Sequence, residues 1–126
     1  MPLMHKDSDR LDVVVKYAET ANGLEFFEDN YDKECLKETF NFKRLTWEMH
    51  KGIMSAVMVM NVQGQSLVDL FKLMDLKVKT QIAEWSLKDD KGDNLPVTPE
   101  NIGRLDPLLI QHLFSKLQAI DKTPIT

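Results

Sequence analysis

Between Ile82 and Glu100 the chain is punctuated so tightly that few local structures can hold it. The segment reads as a helix end, an aromatic-anchored strand at Trp85-Ser86-Leu87, a charged turn through Asp89-Asp90-Lys91-Gly92-Asp93-Asn94, and a short extended stretch at Leu95-Pro96-Val97. It then meets Thr98-Pro99-Glu100, a helix start with Thr as cap, Pro where no N–H is missed and an acid in the first turn. Every residue in it has a conformational task and none has an evident chemical one. The segment therefore reads as a packing or docking joint, a short hairpin or hairpin-like loop spanning 85–97.

The rest of the chain divides around that joint. Residues 1–45 are acidic and partly extended. Leu11-Asp12-Val13-Val14-Val15-Lys16-Tyr17 is β-branched and aromatic and predicts a strand. Ala21-Asn22-Gly23 is a turn signal, and Leu24-Glu25-Phe26-Phe27 is a returning strand. Thr39 to Leu45 alternates, which puts Phe40 and Phe42 on one face. From Glu19 to Asp32 there are five acids and no base, a solvated rim or an acidic surface for a basic partner segment.

Residues 46–85 read as helical. Thr46 caps a helix whose stripe is Trp47, His50, Ile53, Met54, Val57 and Met58. Gln63-Gly64-Gln65-Ser66 breaks the run, with Ser66 as the next cap. A second helix then buries Leu67, Leu70, Phe71 and Met74, continuing to Val78 and Ile82, with Lys77 on the polar side. In residues 86–120 the hairpin leads to a short helix ended by Gly103 and to a final helix. That helix starts at Asp106-Pro107 and carries Leu108, Leu109, Leu113, Leu117 and Ile120 on its apolar face. Residues 121–126 form a tail. The expected fold is α+β and helix-dominated: one domain over 1–126, a helical hairpin plus a capped C-terminal helix, with a small N-terminal β element and the 85–97 hairpin.

Composition narrows function by exclusion. A net charge of −4 over 126 residues disfavours nucleic acid as a partner. The longest apolar stretch, Ile53 to Val62, is too short to span a membrane, and Met1 to Asp7 turns polar too early for a signal peptide. The lone Cys35 allows no internal disulfide, and a buried or half-buried thiol is its default state. His5, His50 and His112 are not at ligand spacing; His50 reads as a packed or boundary residue on its helix and His112 as a boundary residue on the last one. The Asp89–Asn94 turn fails as a calcium loop because Lys91 occupies its third position, where an oxygen ligand is needed. The five glycines are isolated, so neither a phosphate loop nor a nucleophile elbow is present. No catalytic, cofactor-binding or metal residue emerges, no partner-binding residue is assigned, and a non-enzymatic protein is expected. Among the methionines, Met54 and Met58 lie on the stripe that needs burial and Met60 lies off it, so core filling competes with a partner groove.

One likeness gives direction. The run Trp85 to Ile102, followed by Leu105 and the Leu108–Ile120 helix, resembles the C-terminal part of small tail assembly chaperones of long-tailed bacteriophages. Phe40 to Trp47 is similar to their strand leading into a helix, so the resemblance covers roughly residues 38–120. It implies a mostly helical, often oligomeric protein that binds the tape measure protein. Such a protein keeps its partner soluble in the host cell cytoplasm until tail tube protein polymerises around it, and needs no cofactor, nucleic acid or membrane. The alternatives are a structural component of the tail or neck, such as a terminator or completion protein, and an unrelated small adaptor.

Overall fold

Alternating side chains build the centre of this molecule. The computed structural model describes residues 3–6, 8–60, 62–64 and 66–121. Its elements in chain order are β1 (Arg10–Thr20), β2 (Gly23–Phe27), β3 (Leu36–Lys43), α1 (Trp47–Val57), β4 (Met58–Met60), β5 (Ser66–Val68), α2 (Leu70–Gln81), β6 (Ile82–Trp85), α3 (Pro99–Gly103) and α4 (Pro107–Asp121).

A four-stranded antiparallel sheet has the order β2-β1-β3-β6. The β1–β2 connection is the two-residue Ala21-Asn22 turn, with Gly23 at φ 111° and Thr20 Oγ1 donating to the Gly23 carbonyl at 2.8 Å. Along β1, Val13 and Val15 face the core while Asp12 and Val14 face outward. Val13 pairs with Phe40, so the buried residues of neighbouring strands meet on one face. Phe40 and Phe42 are fully buried, each worth about 1.5–3 kcal/mol of transfer free energy. At the Asn41/Phe42 step the β3–β6 register shifts, so Phe42 meets Ile82 while Phe40 meets Trp85. The Trp85 and Phe40 rings meet edge-on at 6.3 Å.

The helices supply the rest of the core. Val78 of α2, Ile102 of α3, and Leu113 and Leu117 of α4 join Val13, Val15, Phe40, Phe42 and Ile82 in one cluster. A second, smaller cluster joins Ile53 and Val57 of α1 to Leu73 of α2, with Met54, Leu45, Val68 and Phe114 around it.

Helix dominance is overturned: of the described residues helix covers 37% and strand 30%, and the sheet is the organising element. Three local events account for the difference. β1 and β3 run several residues beyond the strongest alternation, because antiparallel pairing extends from Arg10↔Lys43 to Tyr17↔Leu36. The helical hairpin expected over 46–85 is interrupted: α1 stops at Val57, and Met58–Met60 pairs with Ser66–Val68. The β-branched Val57, Val59 and Val62 favour that extended form, and Gly64 takes the turn at φ 77°. Ile82 leaves the helix to pair with Phe42 as an edge strand.

The second helix also sits in a different register. Ser66 lies in β5, and the cap of α2 is Asp69, whose Oδ1 accepts from Lys72 N at 3.1 Å. The face of α2 that is buried carries Leu73, Lys77, Val78 and Gln81, leaving Leu70 and Phe71 outside. Lys77 is thus buried, against expectation. Its ammonium meets Asp121 at 2.8 Å with the two side chains only 3% and 5% exposed, and Gln81 Nε2 bridges Asp121 to the Lys43 carbonyl. Asp121, expected in a tail, is the last residue of α4 and anchors it; the remainder of that tail, 122–126, lies outside the described residues.

The 85–97 joint closes as a hairpin-like loop: around the single antiparallel bridge Lys88↔Asn94, Leu95 N donates to the Leu87 carbonyl at 3.0 Å and Asp89 N to the Asp93 carbonyl at 2.8 Å. Asp89 Oδ1 accepts from Lys91 N at 2.8 Å and Asp93 N at 3.0 Å, and Gly92 takes φ 82°. Trp85 Nε1 donates to the Leu95 carbonyl at 2.6 Å, while Leu87 and Val97 pack on the main core. Thr98 caps α3 by accepting from Asn101 N at 3.1 Å. Asp106 Oδ1 accepts from Leu108 N at 2.8 Å at the start of α4. No described helix is long and apolar enough to cross a membrane.

Candidate interaction surface

From Met58 to Val68 the sequence carries no charged side chain. The structure folds this run into the β4–β5 hairpin, with Met58 opposite Val68 and Val59 opposite Leu67. Every residue of β4 is exposed, and Met60 is 68% exposed. Leu67 and Leu70 are exposed as well, on either side of the exposed Asp69, and Phe71 at the first turn of α2 is 80% exposed. A two-stranded hairpin is marginal by itself in water. Exposed apolar surface continuous over one supersecondary unit is the usual mark of a contact site. Sheet edges that must stay unpaired normally carry charge or Pro, and this hairpin has neither.

Its base is firmly held. Val57 and Ile53 are buried against Leu73, Val68 and Met54 pack onto the same cluster, and Asp69 N donates to the Val57 carbonyl at 3.0 Å. The apolar tip therefore projects from a fixed root. Beside it, Phe71 and Met74 border a shallow groove of about 220 Å³, which Ile102, Leu105 and Ile110 also line.

The methionines divide between the two roles weighed from sequence. Met54 fills the smaller core cluster, whereas Met58 and Met60 lie on exposed strand and Met74 borders the groove. Trp47, expected on the buried stripe, is 70% exposed at the first helical position, its ring 6.1 Å from half-buried His50. Phe71 and Leu70 were likewise expected inside. The missed signal is the absence of charge from 58 to 68 together with the Val-x-Val alternation ahead of Gly64.

The other polar candidates are occupied structurally. His112 stacks on Phe26 with ring centroids 4.5 Å apart and planes 9° apart. Burial holds its pKa below 6.5, Lys116 adds to that, and Asp29 and Glu28 oppose it. Lys116 bridges to Asp29 at 2.8 Å, and that hydrogen bond is the main reason the Asp29 carboxyl titrates below 3.8. Part of the acidic stretch is thus used internally, since Lys16 Nζ also donates to the Asp29 and Tyr31 carbonyls. Cys35 is half-buried in the β2–β3 connection. Counted from Asp89, Glu100 does stand at the twelfth position of a calcium loop. It lies, however, in the first turn of α3, and Asp89 Oδ1 is taken by backbone N–H groups. Among the described residues no group of three or more His, Cys, Asp or Glu is placed to hold a metal. No family model, curated protein or solved structure matches the chain, so its function must be argued from this surface and from the sequence.

Proposed function

We propose that the protein is a non-catalytic holding protein, a phage tail assembly chaperone whose uncharged β4–β5 hairpin binds apolar stretches of the tape measure protein. The observation that carries the reading is the run of exposed apolar residues Met58, Val59, Met60, Leu67, Leu70 and Phe71, raised on a buried root. A holding surface must accept many apolar sequences without fixing one geometry, and methionine suits that because its unbranched thioether repacks readily. The acidic balance of the chain keeps the loaded complex soluble. The Trp85–Ile102 pattern supplies the link to tail assembly. In this reading the protein acts in the host cell cytoplasm and hands its cargo to tail tube protein. The four-stranded sheet departs from the mostly helical build that the resemblance implies, and a structural component of the tail or neck stands as the second reading.

Co-expression with a tape measure fragment tests the proposal. The soluble yield of the fragment rises with the wild-type protein, and the doubly substituted Met60→Asp/Phe71→Asp protein, folded by circular dichroism, gives no rise. A fragment equally insoluble with and without the protein overturns the reading, as does full rescue by the double variant. Recovery of the protein in purified particles selects the structural alternative.

A further inference from the structure

At the far end of the sheet the inward parity changes character. On β1 the core-facing positions run Val13, Val15, Tyr17, Glu19, and on β3 the residue opposite Val15 is Glu38. Two carboxylates thus occupy positions where the same face is elsewhere apolar. They border a cavity of about 170 Å³ walled by Val15, Leu24, Phe26, Phe40, Leu87 and Leu109, with Tyr17 beside them.

The cavity is smaller than sites that take drug-sized molecules, and it suits one side chain. Its lining contains two acids and no base among the described residues. The lysines of the adjoining strand positions, Lys16 and Lys37, pair across the register on the opposite face. Glu38 is oriented by a relay: Thr39 N donates to Ser86 Oγ at 2.8 Å, and Ser86 Oγ donates to Glu38 Oε1 at 3.2 Å. The Tyr17 phenol holds its proton more tightly than usual, through burial first and then through Glu38 and Glu19, as a negative local potential requires.

We infer that this cavity is a socket for a single basic side chain, a lysine or arginine presented by a partner protein. Its apolar stem lies along Val15, Phe26 and Leu109, and its cation meets Glu38 and Glu19. Long basic side chains divide in just this way between an apolar wall and a polar rim. Charge complementarity selects the occupant, because an uncharged apolar side chain would leave both carboxylates without a counter-charge. The socket shares no residue with the β4–β5 hairpin, so it stands independently of the tape measure reading.

Methyl-detected NMR titrations with n-butylammonium chloride and with n-butanol, at equal ionic strength, test the site. Butylammonium is expected to shift the methyls of Val15, Leu24, Leu87 and Leu109 saturably and to bind about fivefold more tightly than butanol, the size of one partly screened ion pair. Glu38→Gln should bring butylammonium down to the butanol level and leave butanol unchanged. Glu19→Gln, at an exposed position, repeats the test without burdening the fold. Absence of saturable shifts at these methyls, equal binding of the two probes, or indifference to both substitutions overturns the proposal.

Discussion

The sheet with α4 and the β4–β5 hairpin are made of similar residues and meet opposite fates. In the first, valines and phenylalanines alternate with polar residues, so one face is buried under Leu113 and Leu117 and the other stays wet. In the second, Met58, Val59 and Met60 are consecutive and all exposed, with the exposed Leu67 on the opposing strand and no charged residue in the ribbon. Hydrophobic content alone does not separate core from contact surface in this chain. What separates them is whether a covering element exists. α4 is pinned to α2 by a buried ion pair at its end, and among the described residues no buried ion pair fixes an element over the hairpin.

The sharpest way to break this contrast is to remove one phenylalanine from each region. Phe42→Ala opens a cavity among Val13, Ile82 and Leu117 and is expected to cost about 3–5 kcal/mol. Phe71→Ala removes an exposed ring and should stay within about 0.5 kcal/mol of wild type. Urea unfolding of both variants measures the difference. Equal losses would mean that the hairpin side is covered in the folded protein, and the contact-surface argument would fail.

The next test concerns what pins α4. Asp121→Asn leaves the Lys77 ammonium buried without its counter-charge and is expected to cost about 3 kcal/mol, although the residue ends a helix. Joint replacement Lys77→Met/Asp121→Leu should recover most of that loss, because apolar pairs of similar volume often match a buried ion pair. If the double variant is as weak as the single one, the surrounding Gln81 network carries the stability and not the pair itself.

How far the sequence foretold these regions follows from which constraints are local. The strand pairing of β1 with β2, the Thr46, Thr98 and Asp106 helix starts and the shared face of Phe40 and Phe42 depend on neighbours a few residues away, and all are legible. The burial of Lys77 is not, because its partner lies forty-four positions away at the end of another helix. The same holds for α2 as a whole: an apolar stripe through Leu70, Phe71 and Met74 is as good by periodicity as the one through Leu73 and Val78, and the docking of α1 and α4 chooses between them. The hairpin was misread as helix because Met and Val at three- and four-residue spacing satisfy both templates in a short run. The acidic cavity is not legible in the sequence because Glu19 and Glu38 belong together only once β1 and β3 are paired.

The smallest effect separates the two regions by pH. The hairpin has no titratable side chain, whereas α4 carries His112 against Phe26 with Lys116, Asp29 and Glu28 nearby. His112 has a folded pKa below 6.5, chiefly because burial disfavours the imidazolium. As pH falls, the unfolded chain therefore takes up this proton first, and the native state loses ground. The contribution is complete above 6.5 and is lost as pH falls from there through the folded value. Asp29 acts with the same sign in a separate window, since its lowered carboxyl stabilises the fold above 3.8 and ceases to do so as pH falls further. His112→Phe keeps an aromatic ring on Phe26 and removes the proton site. Urea midpoints measured on either side of 6.5 should fall on acidification for wild type and stay level for the variant, while both proteins lose stability together in the lower window. An unchanged slope in His112→Phe would place the pH sensitivity elsewhere in the fold and remove α4 as the titratable partner in the contrast with the hairpin.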